Sequence, residues 1–144
     1  MKAKLIDILL IEDNPGDVDL TREALEESKI KNNLNVAMDG QQALDFLYKK
    51  GEFSDSPTPD LILLDLNLPN IDGREVLANI KKHKDLRRIP VVILTSSKAD
   101  EDILQVYNLH ANCYVQKPLD FKSFTEIVKQ IESFWLGIVV LPNK

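Results

Sequence analysis

Five short apolar runs punctuate this chain: IDILLI (6–11), LNVAM (34–38), DLILLDL (60–66), PVVILT (90–95) and NCYVQ (112–116). Runs this short, apolar at consecutive rather than alternate positions, suit strands covered on both faces, as in a parallel sheet. The segments between them carry helical spacing instead. Leu20, Ala24 and Leu25, flanked by Thr21 and Ser28, share one stripe after Pro15, a residue suited to a first helical turn. Ala43, Leu44 and Leu47 repeat the pattern after Asp39-Gly40, and Val76, Leu77 and Ile80 after Gly73. Ile103, Val106 and Tyr107 follow a candidate cap at Ser97 with Asp100 three residues on, and Phe124, Ile127, Val128 and Ile131 form a last stripe. Five strands alternating with five helices call for right-handed crossovers and an open α/β architecture, a doubly wound five-stranded parallel sheet with helices on both faces. Such sheets bind ligands beyond the carboxyl ends of their strands, so function is sought there.

At 144 residues the expectation is a single domain spanning 1–144, with a core from about 5 to 133 and a C-terminal tail at 134–144. A net charge of -5 disfavours nucleic acid as a partner, because phosphate-backbone binding needs a basic surface. One cysteine, Cys113, cannot form an internal disulfide and fits a reducing, cytoplasmic setting. The opening MKAKLIDILLI has basic residues before an apolar run, yet Asp7 interrupts it and Glu12-Asp13 closes it, so neither a signal peptide nor a membrane span is expected. The rhythm breaks only at GEFSDSPTP (51–59), a Gly/Pro/Ser-rich loop before the third strand, and at the tail.

Reading the strand ends in order brings out Glu12 and Asp13, then Asp65, Thr95 and Lys117. Adjacent carboxylates repel and call for a counter-charge. A cluster of carboxylates without histidine or cysteine suits a hard cation that keeps several waters, which points to magnesium rather than zinc. A carboxylate beside that ion, faced by an ammonium and a hydroxyl, is equipped to attack phosphorus and to hold the incoming oxygens. Asp65 is the natural nucleophile.

EDN at 12–14, DLNLPNIDG at 65–73, LTSS at 94–97 and YVQKP at 114–118 resemble the signatures of response-regulator receiver domains of two-component signalling, over roughly residues 5 to 133. The resemblance implies a CheY-like, flavodoxin-like (βα)5 fold with strand order 2-1-3-4-5. It also implies that Asp65 accepts a phosphoryl group from a sensor histidine kinase. By the same transfer, Glu12, Asp13, Asp65 and the backbone carbonyl of Asn67 hold Mg2+, while Asn67 and Ser96 contact the phosphate. Lys117 pairs with the phosphate, Thr95 turns to donate its hydroxyl, and Tyr114 moves inward to alter the face built by the fourth helix, fifth strand and fifth helix. The long loop before the third strand and the tail SFWLGIVVLP are similar to small stand-alone regulators that serve phytochrome-type kinases. The implied protein is a switch rather than an enzyme, with no output domain, signalling to an unidentified downstream protein.

Each residue also has a plainer reading. Glu12-Asp13 alone could be a solvated strand end, Asp65 a turn residue, Thr95 a strand-end hydroxyl, Lys117 a loop lysine and Tyr114 strand packing; their joint placement favours the site. Asn67, Pro69 and Asp72-Gly73 also shape a loop, and Asp39 reads as a helix cap. The run KKHKDLRR (81–88) reads as a solvated helix end, and His83 and His110 carry no metal or base motif. Val18 and Arg22 flank the first stripe, where an exposed valine would suit kinase docking and a core-edge valine would not. The tail offers material for a homodimer contact. Two competing classes fit less well. A phosphatase of the haloacid-dehalogenase type needs an acid two residues after its nucleophile, where this chain has Asn67. A flavodoxin-type flavin module prefers Ser, Thr and Gly where this chain presents acids.

Overall fold

The computed structural model describes residues 5–28, 31–95, 113–116, 122 and 124–130. Its strands are β1 (Ile6–Ile11), β2 (Asn32–Ala37), β3 (Leu61–Asp65), β4 (Val91–Thr95) and β5 (Cys113–Gln116), and its helices α1 (Pro15–Glu26), α2 (Gly40–Tyr48) and α3 (Gly73–Lys82). All strand pairs are parallel and the sheet order is β2-β1-β3-β4-β5, so the order reverses between β1 and β3, the place where an open sheet leaves a crevice. Residues 124–130 are helical. The expected fourth helix with its cap at Ser97, the Ile131 end of the last stripe, His110 and the tail with its dimer contact lie outside the described residues.

Successive side chains of a strand point to opposite faces, and the core divides accordingly. Leu9, Ile11, Ile62, Leu64, Val91 and Ile93 pack with α2 and α3 through Ala43, Leu47, Val76, Leu77 and Ile80. Ile6, Ile8, Leu10, Leu61, Leu63, Val92 and Leu94 face the other way, onto Val18, Ala24 and Leu25 of α1 and onto Phe124 and Val128. Consecutive apolar positions were needed because both faces are covered.

Two sequence expectations shift. The second strand begins at Asn32 rather than Leu34, because its parallel ladder runs the full length of β1 from Ile6↔Asn32 to Ile11↔Ala37. The polar residues it admits are bonded: Asn32 Nδ2 donates to Leu25 O at 3.0 Å and Asn33 Nδ2 to Asp7 Oδ1 at 3.1 Å. The stripe of α1 also turns, to Val18, Thr21, Ala24 and Leu25, leaving Leu20 only partly buried. Val18 is therefore a core residue at 7% exposure, and the exposed-valine docking reading is withdrawn.

The Gly/Pro/Ser-rich loop is anchored rather than loose. It forms a 3-10 turn at Gly51–Phe53, packs the Phe53 ring at a 58° tilt against Phe46 with centroids 5.7 Å apart, and ties the Ser56 hydroxyl to Phe46 O at 2.9 Å. The basic run does end α3 in solvent, with Lys82, Lys84, Arg87 and Arg88 exposed, but Leu86 and Ile89 dip from it into the core. Burial lowers the pKa of Lys81 in that last turn. No helix among the described residues is long and apolar enough to cross a membrane.

Candidate functional site

Glu12 and Asp13 follow directly on the last residue of β1, and Asp65 is the last residue of β3. Because β1 and β3 are neighbours in register, with Ile11 opposite Leu64, the two strand ends deliver their acids to one point. One carboxylate oxygen from each of Glu12, Asp13 and Asp65 lies within 4.8 Å of the others, and among the described residues this is the group of side chains that could hold a metal ion. Glu12 is fully buried, Asp65 is 4% exposed, and Asp13 is exposed, so the cluster is a recess with one open side.

Local hydrogen bonds aim the two buried acids. Asn14 N donates to Glu12 Oε2 at 3.2 Å, and Asn67 N donates to Asp65 Oδ1 at 3.0 Å. Asn14 then caps α1 by accepting from Asp17 N at 3.1 Å, so the β1–α1 turn is held from both sides. Backbone bonds fix the strand ends themselves: Glu12 N to Ala37 O at 3.0 Å and Leu66 N to Leu94 O at 3.2 Å. Three clustered carboxylates repel one another, and a small divalent cation with oxygen preference offsets that repulsion. The donor set fits magnesium.

The loop from Leu66 to Asp72 carries Asn67 and is packed at two glycines. A Cβ on Gly73 would collide with the Asp65 carbonyl and stand 2.5 Å from Leu66 Cα; a Cβ on Gly40 would stand 2.7 Å from Ile71 Cβ. Gly73 N donates to Leu66 O at 3.0 Å and Gly40 N to Pro69 O at 3.4 Å. Asp39 caps α2 as expected, accepting from Gln42 N at 2.8 Å, and Asp72, read from the sequence as a loop-shaping residue, caps α3 by accepting from Arg74 N at 3.1 Å. Sequence reasoning read Asp39 as a cap alone, but its second oxygen accepts from Asn70 Nδ2 at 3.0 Å. The signal available was Asn70 itself, a residue tolerant of the left-handed region, and its φ is 67°.

Thr95 ends β4, one residue past the Asp65↔Leu94 pair, and Tyr114 lies within β5 opposite Ile93; the side chains of both, together with Ser96, Ser97 and Lys117, lie outside the described residues. His83 takes no part in the cluster: its Nδ1 accepts from Asp85 N at 3.1 Å and its ring lies 5.6 Å from that of Tyr48.

Residues 8–129 match the response regulator receiver domain family. Response regulator Rcp1 of Synechocystis sp. is 51% identical over 135 residues, covering 94% of this chain and 92% of that protein. Among solved structures, the phosphorylated cyanobacterial phytochrome response regulator RcpA superposes with a TM-score of 0.86 at 47% identity, covering 92% of this chain and 95% of its own. The Mn(2+)-bound form of Rcp1 gives a TM-score of 0.86 at 50% identity, covering 96% and 99% respectively. The flavodoxin-like fold of these neighbours is the one described above, and one of them carries a divalent metal in its crystal.

Proposed function

This chain belongs to the response regulator receiver domain family, phosphorylation-dependent signalling proteins that draw phosphoryl groups from histidine kinases, and from that premise we propose that Asp65 is its phosphoryl acceptor. The observation that carries the assignment is the meeting of Glu12, Asp13 and Asp65 within 4.8 Å at the reversal point of the sheet. Of the three, Asp65 is the strand-terminal acid whose side chain is oriented by the loop that follows it, through Asn67 N. A carboxylate oxygen of Asp65 forms the new P–O bond as the P–N bond to the kinase imidazole breaks, the electron pair leaving with the nitrogen. Glu12, Asp13, Asp65 and the Asn67 carbonyl would hold magnesium. When bound, that ion neutralises charge on the acids and on the transferred oxygens.

The phosphorylated group gains about -1.5 to -2 charges and three acceptor oxygens, and Lys117, Thr95, Asn67 and Ser96 are the donors assigned to it. In the sequence Lys117 comes directly after β5 and Ser96 directly after β4. Thr95 and Tyr114 form the switch that alters the face around β5 for a downstream protein. The only chemistry is gain of the phosphoryl group and its loss to water, in the cytoplasm. That RcpA is a phytochrome response regulator supports a phytochrome-type kinase as the donor.

Incubation with acetyl phosphate and magnesium should add one phosphate, read by intact mass, and Asp65→Asn should abolish it. Uptake persisting in Asp65→Asn would reassign the acceptor.

A further inference from the structure

We propose that Asp39 and Asn70 form a bracket that positions the metal-facing loop, making the N-terminus of α2 a working part of the site. The inference rests on the assignment of Asn67 given above. A backbone carbonyl ligand has no side chain with which to adjust its aim; its direction is set by where the chain is fixed on either side. On the near side, Asn67 N is bonded to Asp65 Oδ1 at 3.0 Å and Leu66 is held by Leu94 O and Gly73 N. On the far side the loop runs through Leu68, Pro69, Asn70 and Ile71, and there it is gripped by α2. Pro69 O accepts from Gly40 N at 3.4 Å, Ile71 sits in the space that a Cβ on Gly40 would take, and Asn70 Nδ2 donates to Asp39 Oδ2 at 3.0 Å.

Asp39 divides its carboxylate between two tasks. Oδ1 caps α2 by accepting from Gln42 N, Gln42 Oε1 accepts from Met38 N at 2.8 Å, and Oδ2 accepts from Asn70 Nδ2. The reciprocal pair stiffens the β2–α2 corner. The bracket therefore transmits a rigid support to a loop whose own backbone is in the left-handed region at Asn70, φ 67°. Neither residue touches the reacting atoms. Both act through Asn67 and are positioning residues, comparable to the outer groups that orient ligands at metal sites.

Two substitutions separate positioning from folding. Asn70→Gly keeps the left-handed backbone accessible and deletes only the amide. Asp39→Ser keeps a capping oxygen for Gln42 N and deletes the second acceptor. Mn2+ affinity measured by calorimetry should fall about three- to tenfold in each single variant, less than a buried outer-shell loss because this bond is exposed. Phosphate uptake from acetyl phosphate should slow at limiting magnesium and recover at saturating magnesium, while the metal-free melting temperature changes little. The double variant should bind Mn2+ no more weakly than the poorer single one, since both remove the same contact. Wild-type Mn2+ affinity in both single variants, or losses that multiply in the double, would overturn the bracket. If wild type bound Mn2+ and took no phosphate, the acceptor assignment would fail while the Mn2+ comparison still decided the bracket.

Discussion

Replacing Gly73 by alanine should slow phosphorylation severely while leaving the protein folded. A Cβ there would lie 2.5 Å from Leu66 Cα and would collide with the Asp65 carbonyl. Carbon atoms prefer a separation of about 3.5 Å, so helix and strand must part by roughly 1 Å. Both neighbours are main chain, and neither can swing aside. Overpacking of this kind costs about 1–3 kcal/mol, and alanine's better helix propensity returns less than about 1 kcal/mol of it. The net loss, about 2 kcal/mol, corresponds to a fall in melting temperature of about 8 °C. The displaced atoms, however, are the backbone of the acceptor itself, and a 1 Å misplacement of reacting groups costs on the order of 100-fold in rate. Phosphate uptake from acetyl phosphate, followed by intact mass beside thermal denaturation by circular dichroism, reads both quantities. Gly51→Ala is the matched control. Its φ of 57° penalises alanine, yet open space surrounds it at the far end of α2, so stability should fall by about 1–2 kcal/mol with the rate unchanged. A Gly73→Ala protein that phosphorylates within about twofold of wild type would refute the reasoning that this close approach sets the acceptor's position.

Two further outcomes follow from the acid cluster and its flank. Glu12→Gln keeps the shape of a fully buried side chain and removes one of three converging charges, so the metal-free protein should melt higher while its gain in melting temperature from added magnesium shrinks; a variant that loses stability without metal and keeps the full magnesium response would contradict the mutual repulsion. Asn14→Ala deletes the cap on Asp17 N and should cost about 1 kcal/mol, seen as a drop of about 4 °C in the melting temperature.

The unphosphorylated site holds its acids together before any phosphate arrives. Asn14 N and Asn67 N each point a buried carboxylate inward, and the exposed Asp13 leaves one side open to a donor. That arrangement suits a reaction in which the protein mainly positions charge, and it puts the loop from Leu66 to Asp72 under the most exacting geometric demand.

The alternation of apolar runs with helical stripes determined the doubly wound sheet, because a short unbroken apolar run and a 3.6-residue stripe are local properties that any short window of residues reveals. The same alternation, by locating the strand ends, picked out Glu12, Asp13 and Asp65 as candidates to meet. What only the tertiary structure decided are the approaches between segments distant in sequence: Gly40 against Ile71, Gly73 against Leu66, the second oxygen of Asp39 on Asn70, and the burial of Val18. Burial of one edge position depends on how a helix rotates against its sheet, and a carboxylate's second partner depends on which loop the crossovers bring beside it. Neither is a property of a residue and its near neighbours in the chain; both arise when strand order sets distant backbones within a carbon atom's width of one another.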